Sequence, residues 1–435
     1  MAYETTDLSL NPAQLRFIKL FLGLGMLGQE KKDLFEVRMF KAIVDNPLTK
    51  GMLRLMSRHC KKDDGSHLEI ALGLYTESIK KACIKCKTTE KIVSPIVKLG
   101  AETFGTTQEK MKERFKDRYW RRGLANVLKG IGEFGVRRPY VPGAPFQVVW
   151  NITKRCNLKC KHCYENAGLP AADELTTEEV KKGLDILAEA GVLINAFSGG
   201  EPTTRPDILE LIKHSDKRGI YTAMATNAVL LADRKRVKEL KESGLRFAQI
   251  SLDGIDPKTH DEFRGLPGAF QKTIQGIKNC VEEELFVEIA TTATHYNFKE
   301  IPRIIDFAEE QGVDWLMIYN FVPAGRGKEI VNADLTPEER EELLSILWDR
   351  MKAKKIEVLS TAPQFSRVAQ QTEARIKAGM YASCDTMIVP THFYNPELSG
   401  QLKRLAEFIG GCGAGRFYLG IEPNGDIYPC VFFPY

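Results

Sequence analysis

The chain has 435 residues, of which 43% are hydrophobic and 27% are charged, and its formal net charge is +5. This length and hydrophobic content predict two or three domains with cores of their own rather than a disordered chain. No apolar run reaches the roughly 20 residues of a transmembrane helix, and the polar residues after Met1 are unlike a secretory leader.

The ten cysteines are unevenly spaced and include one tight triplet. Such a pattern is typical of metal ligation in a reducing compartment and unlike a disulfide framework. We therefore predict a cytoplasmic protein with no nucleic-acid partner.

Residues 1–140 are predicted to form a basic, all-helical domain. The first 145 residues contain 27 lysines and arginines against 16 aspartates and glutamates. Apolar residues recur at helical spacing, with no convincing β-alternation between the helices. The predicted helices are 11–29, 34–45, 52–60, 68–83, 92–104 and 108–131.

The segment 119–138 combines an apolar face with many basic residues. This combination is found in helices that lie on a membrane surface, which allows membrane association or contact with a lipid. It is also compatible with a helical cap whose apolar faces pack together and whose basic residues are solvated. Both interpretations stay open from the sequence.

Cys60, Cys83 and Cys86, with His59 or His67, are candidates for a metal site in this domain. The Cys-x2-Cys pair has a ligand spacing seen in zinc sites, but the fourth ligand is undetermined. Ordinary free thiols are the alternative.

A proline-rich joint at 139–145 ends the helical domain, and strands then alternate with helices. This alternation predicts an α/β fold over 146–355, an incomplete (β/α)6 barrel of six parallel strands. Capping-box sequences begin two of the helices, at Thr176 and Thr336. The predicted strands are 147–151, 192–198, 220–225, 247–252, 285–292 and 313–319. The predicted helices are 177–190, 206–218, 233–243, 270–283, 298–311 and 337–353.

The cysteine triplet Cys156-x3-Cys160-x2-Cys163 follows the first strand of this barrel. The C-terminal ends of barrel strands are where such folds place their chemistry. Three thiolates at this spacing can hold three irons of a 4Fe–4S cluster and leave the fourth iron open to an outside ligand. A structural zinc site would usually draw a second cysteine pair or histidines from nearby.

Together with the sequence Gly-Gly-Glu-Pro at 199–202, the triplet resembles the radical S-adenosylmethionine (radical SAM) superfamily. The resemblance implies a partial barrel that binds a 4Fe–4S cluster and S-adenosylmethionine. It implies reductive cleavage of S-adenosylmethionine to a 5′-deoxyadenosyl radical, which removes hydrogen from an unactivated carbon. It also implies a reductant such as ferredoxin or flavodoxin as partner.

The resemblance places the cofactor contacts at the strand ends. Glu201 is the expected counter-charge of the methionine ammonium, and Arg264 is expected either to bind the methionine carboxylate or to form a surface ion pair. The ring of His162 or Tyr164 is expected beside the adenine. The residues expected to contact the cofactor are Gly199, Gly200, Glu201, Pro202, Thr226, Asn227, Ser251, Asp253, Arg264, His162 and Tyr164.

Ile289, Ala290 and Ile318, with residues 319–323 beyond the sixth strand, are expected to flank the adenine. His295, after the fifth strand, is a candidate for a base that faces the substrate, although a histidine in this place is more often structural.

The region 356–435 ends with Cys412-x12-Gly425-x4-Cys430, in which an Asn-Gly pair predicts a tight hairpin. This spacing is similar to the start of a SPASM or twitch domain, which holds an auxiliary iron–sulfur cluster. The later cysteines of such a domain are absent, so we expect an incomplete one. The implied ligands are Cys412, Cys430 and, in place of a missing one, Cys384.

The substrate remains a choice between three classes. The chain loosely resembles radical SAM synthases that join the isoprenoid chains of membrane ether lipids, and a basic helical domain would suit a lipid substrate and peripheral membrane contact. The alternatives are a peptide or protein maturase and an enzyme that modifies a porphyrin or another small molecule. No strands are predicted near the N-terminus for a peptide-binding winged helix.

Overall fold

A nine-stranded sheet forms the centre of the computed structural model. The residues that the structure describes are 45–103, 107–137, 139–353, 355–362, 364–365, 367–368, 371 and 412–433. The helix predicted at 11–29, nearly all of the one at 34–45, and Cys384 lie outside the described residues.

The helices and strands are numbered separately in chain order. The α-helices are α1 Pro47–Met56, α2 His67–Tyr75, α3 Ile84–Thr103, α4 Gln108–Lys116, α5 Arg118–Phe134, α6 Thr177–Ala190, α7 Ile208–Lys217, α8 Arg234–Glu242, α9 Pro257–Arg264, α10 Ala269–Glu282, α11 Ile301–Glu310 and α12 Pro337–Ala353. The strands are β1 His59–Cys60, β2 Gly65–Ser66, β3 Gln147–Asn151, β4 Ile194–Ser198, β5 Tyr221–Thr226, β6 Leu245–Ser251, β7 Phe286–Ala293, β8 Trp315–Asn320, β9 Glu357–Ser360, β10 Tyr418–Ile421 and β11 Ile427–Tyr428.

Strands β3 to β9 pair in chain order and are all parallel. The α/β fold with a parallel sheet is therefore confirmed. The prediction of six strands was one short at this end, because β9 has only four residues and carries too little alternation to be recognised. The capping boxes at Thr176 and Thr336 are both formed.

The two faces of the barrel strands differ in side-chain size. Large apolar side chains such as Trp150, Phe197 and Ile250 belong to the core between the sheet and its helices. The other face, which we call the lumen, has small residues towards the C-terminal ends of the strands, including Ser251 beside Ala290. At the other end of the lumen, aromatic rings pack against one another: Phe247 on Phe286, with ring centroids 5.2 Å apart, and Phe286 on Trp315, 4.9 Å apart. The lumen is thus filled at its base and lined by small side chains towards its mouth.

Helices α1 to α5 form the helical part, residues 45–103 and 107–134, and pack around a core of their own. The single helix predicted at 108–131 is two helices, because the extended backbone of Asp117 ends α4 and its side chain caps α5. The prediction of an all-helical domain was also incomplete, since β1 and β2 form a short antiparallel hairpin.

Helix α5 turns Arg122, Asn126 and Lys129 towards the barrel. Arg122 donates to the Arg218 carbonyl (3.2 Å), Lys129 donates to the Ala190 carbonyl (2.8 Å), and Asn126 donates to the Gly191 carbonyl (3.0 Å). Neither interpretation of segment 119–138 anticipated this arrangement, in which these side chains are neither solvated nor placed at a membrane surface. In the described part of the chain, no helix is long and apolar enough to cross a membrane.

A cavity of about 230 Å³ lies between the helical part and the barrel. Its lining is rich in charged side chains: Asp64, Glu69, Arg118, Arg121, Arg122, Lys129, Glu189, Lys217 and Arg218. A cavity of this size and charge does not suit a long aliphatic chain.

The C-terminal hairpin is part of the barrel sheet. The hairpin predicted around the Asn-Gly pair is confirmed: β10 and β11 are antiparallel, and Gly425 has a positive φ of 92° at the turn. Strand β10 also pairs in parallel with β3, so the hairpin extends the sheet beyond the first barrel strand. The sequence analysis had assigned it to a separate auxiliary region.

Candidate active site

The cysteine triplet lies in a loop, residues 152–168, that we call the cysteine loop. It follows β3 and folds back on itself: the Cys156 N–H donates to the Gly168 carbonyl and the Gly168 N–H to the Lys154 carbonyl, both at 2.9 Å. Leu158 and Cys160 are buried against residues that follow β5 and start α10. The loop is therefore fixed by its backbone and by apolar packing.

Each of the three sulfurs has an N–H group nearby. The Leu158 N–H donates to the Cys156 Sγ and the Ala167 N–H to the Cys163 Sγ, each at 3.4 Å. The Arg264 Nη1 lies 3.7 Å from the Cys160 Sγ. Burial raises the pKa of the Cys156 thiol to about 12. Such a site favours thiolates only when a metal centre compensates their charge.

These residues fit a 4Fe–4S cluster. In the described part of the chain, the sulfurs of Cys156, Cys160 and Cys163 do not all lie within 4.8 Å of one another. They are therefore not gathered around a single ion. The buried Nε of Arg264 has no hydrogen-bond partner in the described part of the chain. A cluster with negatively charged sulfurs would give this guanidinium an acceptor.

Gly199 and Gly200 allow the end of β4 to contact the cysteine loop. The Gly200 N–H donates to the Thr153 carbonyl at 2.7 Å. A Cβ on Gly199, whose φ is 120°, would lie 2.4 Å from the Thr153 oxygen, and a Cβ on Gly200 would lie 2.2 Å from the Arg155 oxygen. Any side chain at either position would force the two backbones apart. Pro202 follows at the start of a 3-10 turn.

Glu201 is buried and joins the ends of β4 and β5. Its Oε1 accepts the Thr203 N–H (3.1 Å) and hydroxyl (2.6 Å) and the Thr226 hydroxyl (2.8 Å), and its Oε2 accepts the Asn227 N–H (2.8 Å). Burial raises the pKa of Glu201 against the effect of these hydrogen bonds. A carboxylate offers about four acceptor positions, two on each oxygen, so Oε2 has room for one more donor. The role as counter-charge of the ammonium stays a prediction that depends on this oxygen.

Asn227 and Ser251, both expected to bind the cofactor, differ in what they contact. The Asn227 amide donates to the Asn157 side-chain oxygen at 2.8 Å, so it holds the cysteine loop. The Ser251 hydroxyl, at the C-terminal end of β6, has no hydrogen-bond partner among the described residues. Ser251 is therefore the polar group best placed to receive a new partner.

Arg264, Asp253 and His162 form a buried group beneath the cysteine loop. The Arg264 Nη2 lies 2.5 Å from the Asp253 Oδ2, and the His162 Nε2 lies 3.5 Å from the same oxygen. Burial opposes charge here, yet Asp253 raises the pKa of Arg264 and Arg264 lowers the pKa of Asp253. The expected surface ion pair of Arg264 was wrong, because only 7% of this residue is exposed.

The two rings expected beside the adenine have protein partners. His162 stacks on Phe263, with ring centroids 4.2 Å apart, and burial lowers the pKa of its imidazole to about 4. The Tyr164 hydroxyl lies 3.4 Å from the Ser198 Oγ, and its ring meets Phe432 at 4.9 Å. An adenine contact by either ring stays a prediction.

Two of the three apolar residues expected around the adenine face away from the lumen. Ile289 and Ile318 belong to the core between sheet and helices, and Ala290 alternates with Ile289 onto the lumen face. The sequence could not separate the two faces, because a strand buried on both sides has no polar alternation.

His295 is exposed and its Nδ1 lies 2.7 Å from the Glu339 Oε1 at the start of α12. This geometry favours a structural role over a substrate-facing base.

A polar group in the lumen was missed by the sequence analysis. The Gln249 amide donates to the Glu288 Oε1 (2.5 Å) and to the Tyr319 hydroxyl (3.0 Å). Burial raises the pKa of the Glu288 carboxyl to about 7, so it can hold a proton near neutral pH. The available signal was a glutamate inside the otherwise apolar run of β7.

The C-terminal hairpin contributes a charged group to the base of the cysteine loop. Lys154 forms ion pairs with Glu165 and, at 3.0 Å, with Glu422 of the hairpin. The Asn151 amide donates to both carboxylates, at 2.6 and 3.1 Å. Two strands of distant sequence are therefore held together beside the candidate cluster.

Cys412 and Cys430 lie at the base of the hairpin, as expected. The Gly415 N–H donates to the Pro429 carbonyl at 2.9 Å, which brings the two cysteine-bearing segments together. Burial and the nearby Cys412 thiol raise the pKa of Cys430. Their role as cluster ligands stays a prediction.

The sequence model of the Radical SAM superfamily matches residues 150–308. The chain is 43% identical over 206 residues to the Fe-coproporphyrin III synthase of Methanosarcina barkeri, which covers 47% of this chain and 51% of that protein. It is 34% identical over 294 residues to an AdoMet-dependent heme synthase of the same organism, and this match covers 67% of this chain and 78% of that protein. It is 30% identical over 290 residues to the PqqA peptide cyclase of Bradyrhizobium diazoefficiens, and this match covers 66% of this chain and 67% of that protein. The chain thus spans about half of the first relative and most of the second.

The fold is similar to the crystal structure of Streptococcus suis SuiB bound to the precursor peptide SuiA. The TM-score is 0.56 at 18% identity, and the match covers 84% of this chain and 76% of SuiB.

These relatives are named for iron porphyrins and for peptides, so they favour the two alternatives of the sequence analysis over an ether-lipid substrate. The fold, the cysteine loop and these likenesses agree that the chain belongs to the radical SAM superfamily.

Proposed function

We propose that this radical SAM enzyme acts on a porphyrin, either an iron porphyrin or a precursor of one. The observation that carries the proposal is the likeness to two synthases of iron porphyrins. We further propose that Cys156, Cys160 and Cys163 hold the cluster, and that backbone groups at 199–202 and the Ser251 hydroxyl contact S-adenosylmethionine. A bound 4Fe–4S cluster and S-adenosylmethionine supply the removal of hydrogen from an unactivated carbon.

The lumen supports a reaction at the mouth of the barrel. The stacked rings of Phe247 and Phe286 fill its base, so a large planar substrate has access only from the side of the cysteine loop. Small side chains such as Ala290 leave space there. Burial raises the pKa of the Glu288 carboxyl to about 7. This group in the lumen can therefore give a proton to a substrate or take one from it near neutral pH.

A peptide substrate is the second candidate, favoured by the likeness to the PqqA peptide cyclase. The same mouth can receive an extended peptide, and β11 is the last strand at one edge of the sheet. Either substrate requires an electron donor, for which we propose ferredoxin or flavodoxin.

The test compares substrates under anaerobic conditions. Reconstituted protein is incubated with S-adenosylmethionine, a flavodoxin reducing system, and iron coproporphyrin III, metal-free coproporphyrin III or the PqqA peptide. We expect a porphyrin to accelerate 5′-deoxyadenosine formation and to change in mass. If the peptide alone does so, the porphyrin proposal fails and the peptide candidate replaces it.

A binding assay separates recognition from turnover. The variant Cys156→Ala/Cys160→Ala/Cys163→Ala should still shift the absorbance of the porphyrin on titration, because the proposed lumen contacts do not involve those thiols. Absence of porphyrin binding by both wild type and variant would contradict the proposal.

A further inference from the structure

We propose that the helical part contains a structural zinc site formed by Cys60, His67, Cys83 and Cys86. One ligand atom from each of these four residues lies within 4.8 Å of all the others. It is the one such group of cysteine, histidine or carboxylate ligands found in the described ranges of the chain. Three sulfurs and one imidazole nitrogen are a common ligand set of structural zinc.

The distances agree with a tetrahedral ion. Zinc bonds of about 2.3 Å to sulfur and about 2.0–2.1 Å to nitrogen place two sulfurs about 3.8 Å apart and a sulfur and a nitrogen about 3.6 Å apart. The Cys60 and Cys83 Sγ atoms are 3.6 Å apart, and the His67 Nδ1 lies 3.1 Å from the Cys86 Sγ. Small movements of these side chains would complete the coordination.

Three short elements bring the ligands together. Cys60 ends β1, and a tight turn returns the chain, with the Asp64 N–H donating to the Cys60 carbonyl at 2.9 Å. His67 begins α2 directly after β2. Cys83 precedes α3 and Cys86 lies in its first turn. The unexpected β1–β2 hairpin is therefore the element that presents the first two ligands.

The structure decides between the two candidate histidines. The His59 Nε2 lies 3.7 Å from the Asp64 Oδ1 on the outer side of the hairpin, whereas His67 points its Nδ1 at Cys86. The Asp63 carboxylate accepts the Cys83 N–H at 3.1 Å, which fixes the backbone of a ligand. Such outer contacts orient ligands in metal sites.

Two of the four proposed ligands are shielded from solvent. Cys86 is completely buried and Cys60 is 5% exposed. The His67 imidazole and the Cys86 thiol meet through the two atoms that would bind the ion, and the Cys60 thiol lies 3.4 Å from the Asp63 Oδ2. On zinc binding the three thiols release their protons to solvent and imidazole remains neutral, so the site carries one negative charge.

The site is placed to stabilise the junction with the barrel. Asp64 of the same hairpin lies 3.4 Å from the Arg218 Nη1, and Glu69, in the turn after His67, lies 3.6 Å from the Arg122 Nε. Zinc would fix the hairpin, α2 and α3 relative to one another, and thereby the surface that contacts the barrel.

The experiment measures zinc in the full-length protein. Protein produced in zinc-supplemented medium should contain about one zinc ion per chain, in addition to iron. X-ray absorption at the zinc edge of the wild-type protein should show three sulfurs and one nitrogen. This measurement needs no variant and therefore does not depend on the folding of a mutant.

Variants then assign the ligands. Cys86→Ser and His67→Ala should each lose most of the zinc and unfold at a lower temperature. The matched control is Cys280→Ser, which changes a completely buried thiol of the barrel core and should keep its zinc. Wild-type protein without zinc, with iron in its place, or a Cys86→Ser variant that retains a full zinc ion would overturn the proposal.

Discussion

The cysteines of the helical part and those of the cysteine loop are arranged in opposite ways. In the helical part, four ligand atoms lie within 4.8 Å of one another, which is enough for a complete tetrahedral set. In the cysteine loop, three thiols follow a strand end, and no fourth protein ligand of the same kind joins them among the described residues. Closed sets of four ligands are typical of structural sites, and incomplete sets are typical of catalytic ones.

The two sites also differ in what holds them. The helical site draws on the starts of two helices and a hairpin, so the ion itself would connect the elements. The cysteine loop is fixed by protein contacts: backbone hydrogen bonds to 199–201 and the Arg264–Asp253 pair beneath it. The cysteine loop is thus held rigid by the protein around it, as a site that binds and releases a substrate requires, and not by a metal.

The largest effect is expected from changing Cys156, Cys160 and Cys163 together to alanine. This variant should lose one cluster and all 5′-deoxyadenosine formation, because no iron remains to receive S-adenosylmethionine. Its zinc content should equal that of the wild type if the two sites are independent. Elemental analysis and chromatography of the products check both statements, and cleavage at the wild-type rate would contradict the assignment.

Arg264→Met tests how far the cysteine loop depends on protein contacts. It leaves the Asp253 carboxylate buried without its cation, and we expect the free energy of unfolding to fall by about 3–5 kcal/mol. The control is Arg234→Met, which removes an exposed pair with Glu282 and should change stability little. Denaturant titration measures both. Equal effects of the two variants would show that the buried pair is no special support.

Glu288→Gln tests the lumen as a buried, uncompensated environment. The folded pKa of about 7 lies above the ordinary 4.5, so the folded state retains the proton longer than the unfolded state. The contribution of the protonated Glu288 carboxyl to the free energy of unfolding is complete below about pH 4.5 and is lost as the pH rises through 7. Relative to the glutamine variant, the wild type should lose up to about 3 kcal/mol between pH 4 and pH 8. A constant difference across this range, measured by chemical unfolding, would argue against burial of the charge.

Glu201→Gln should give the smallest effect. The new amide is uncharged, and its N–H₂ group would face the donors that now bind the carboxylate. We therefore expect S-adenosylmethionine binding to weaken by about 1.5–3 kcal/mol, with the iron content unchanged. Thr203→Val is the matched control, because it removes one of the donors to Glu201 and keeps the charge. Anaerobic calorimetry gives the dissociation constants. An unchanged constant in Glu201→Gln would exclude the carboxylate as counter-charge.

The barrel was largely predictable because its signals are local. Helices α6 and α12 begin at capping boxes and have the predicted bounds. The six predicted strands lie within two residues of β3 to β8. The cysteine loop was recognised from eight positions of sequence, from Cys156 to Cys163.

Other features depended on partners far along the chain. The pairing of β10 with β3 joins residues about 270 positions apart, which no local pattern reveals. The inward direction of Arg122 and Lys129 depends on free carbonyls at the end of α6 and α7. The choice of His67 over His59 depended on a two-residue strand. Sequence periodicity reports which residues are buried, not what they are buried against.

The late arrival of β10 has a consequence for how the protein folds during synthesis. Strand β3 exposes one edge until residues 418–421 have been made, long after the other barrel strands are available to pair. An unpaired edge can join strands of another chain, and a contact of such long sequence separation forms slowly. The Lys154–Glu422 ion pair beside the cysteine loop likewise forms only in that last step. The surroundings of the cysteine loop are therefore completed after the rest of the barrel, which gives time for a metal centre to be delivered to an accessible loop.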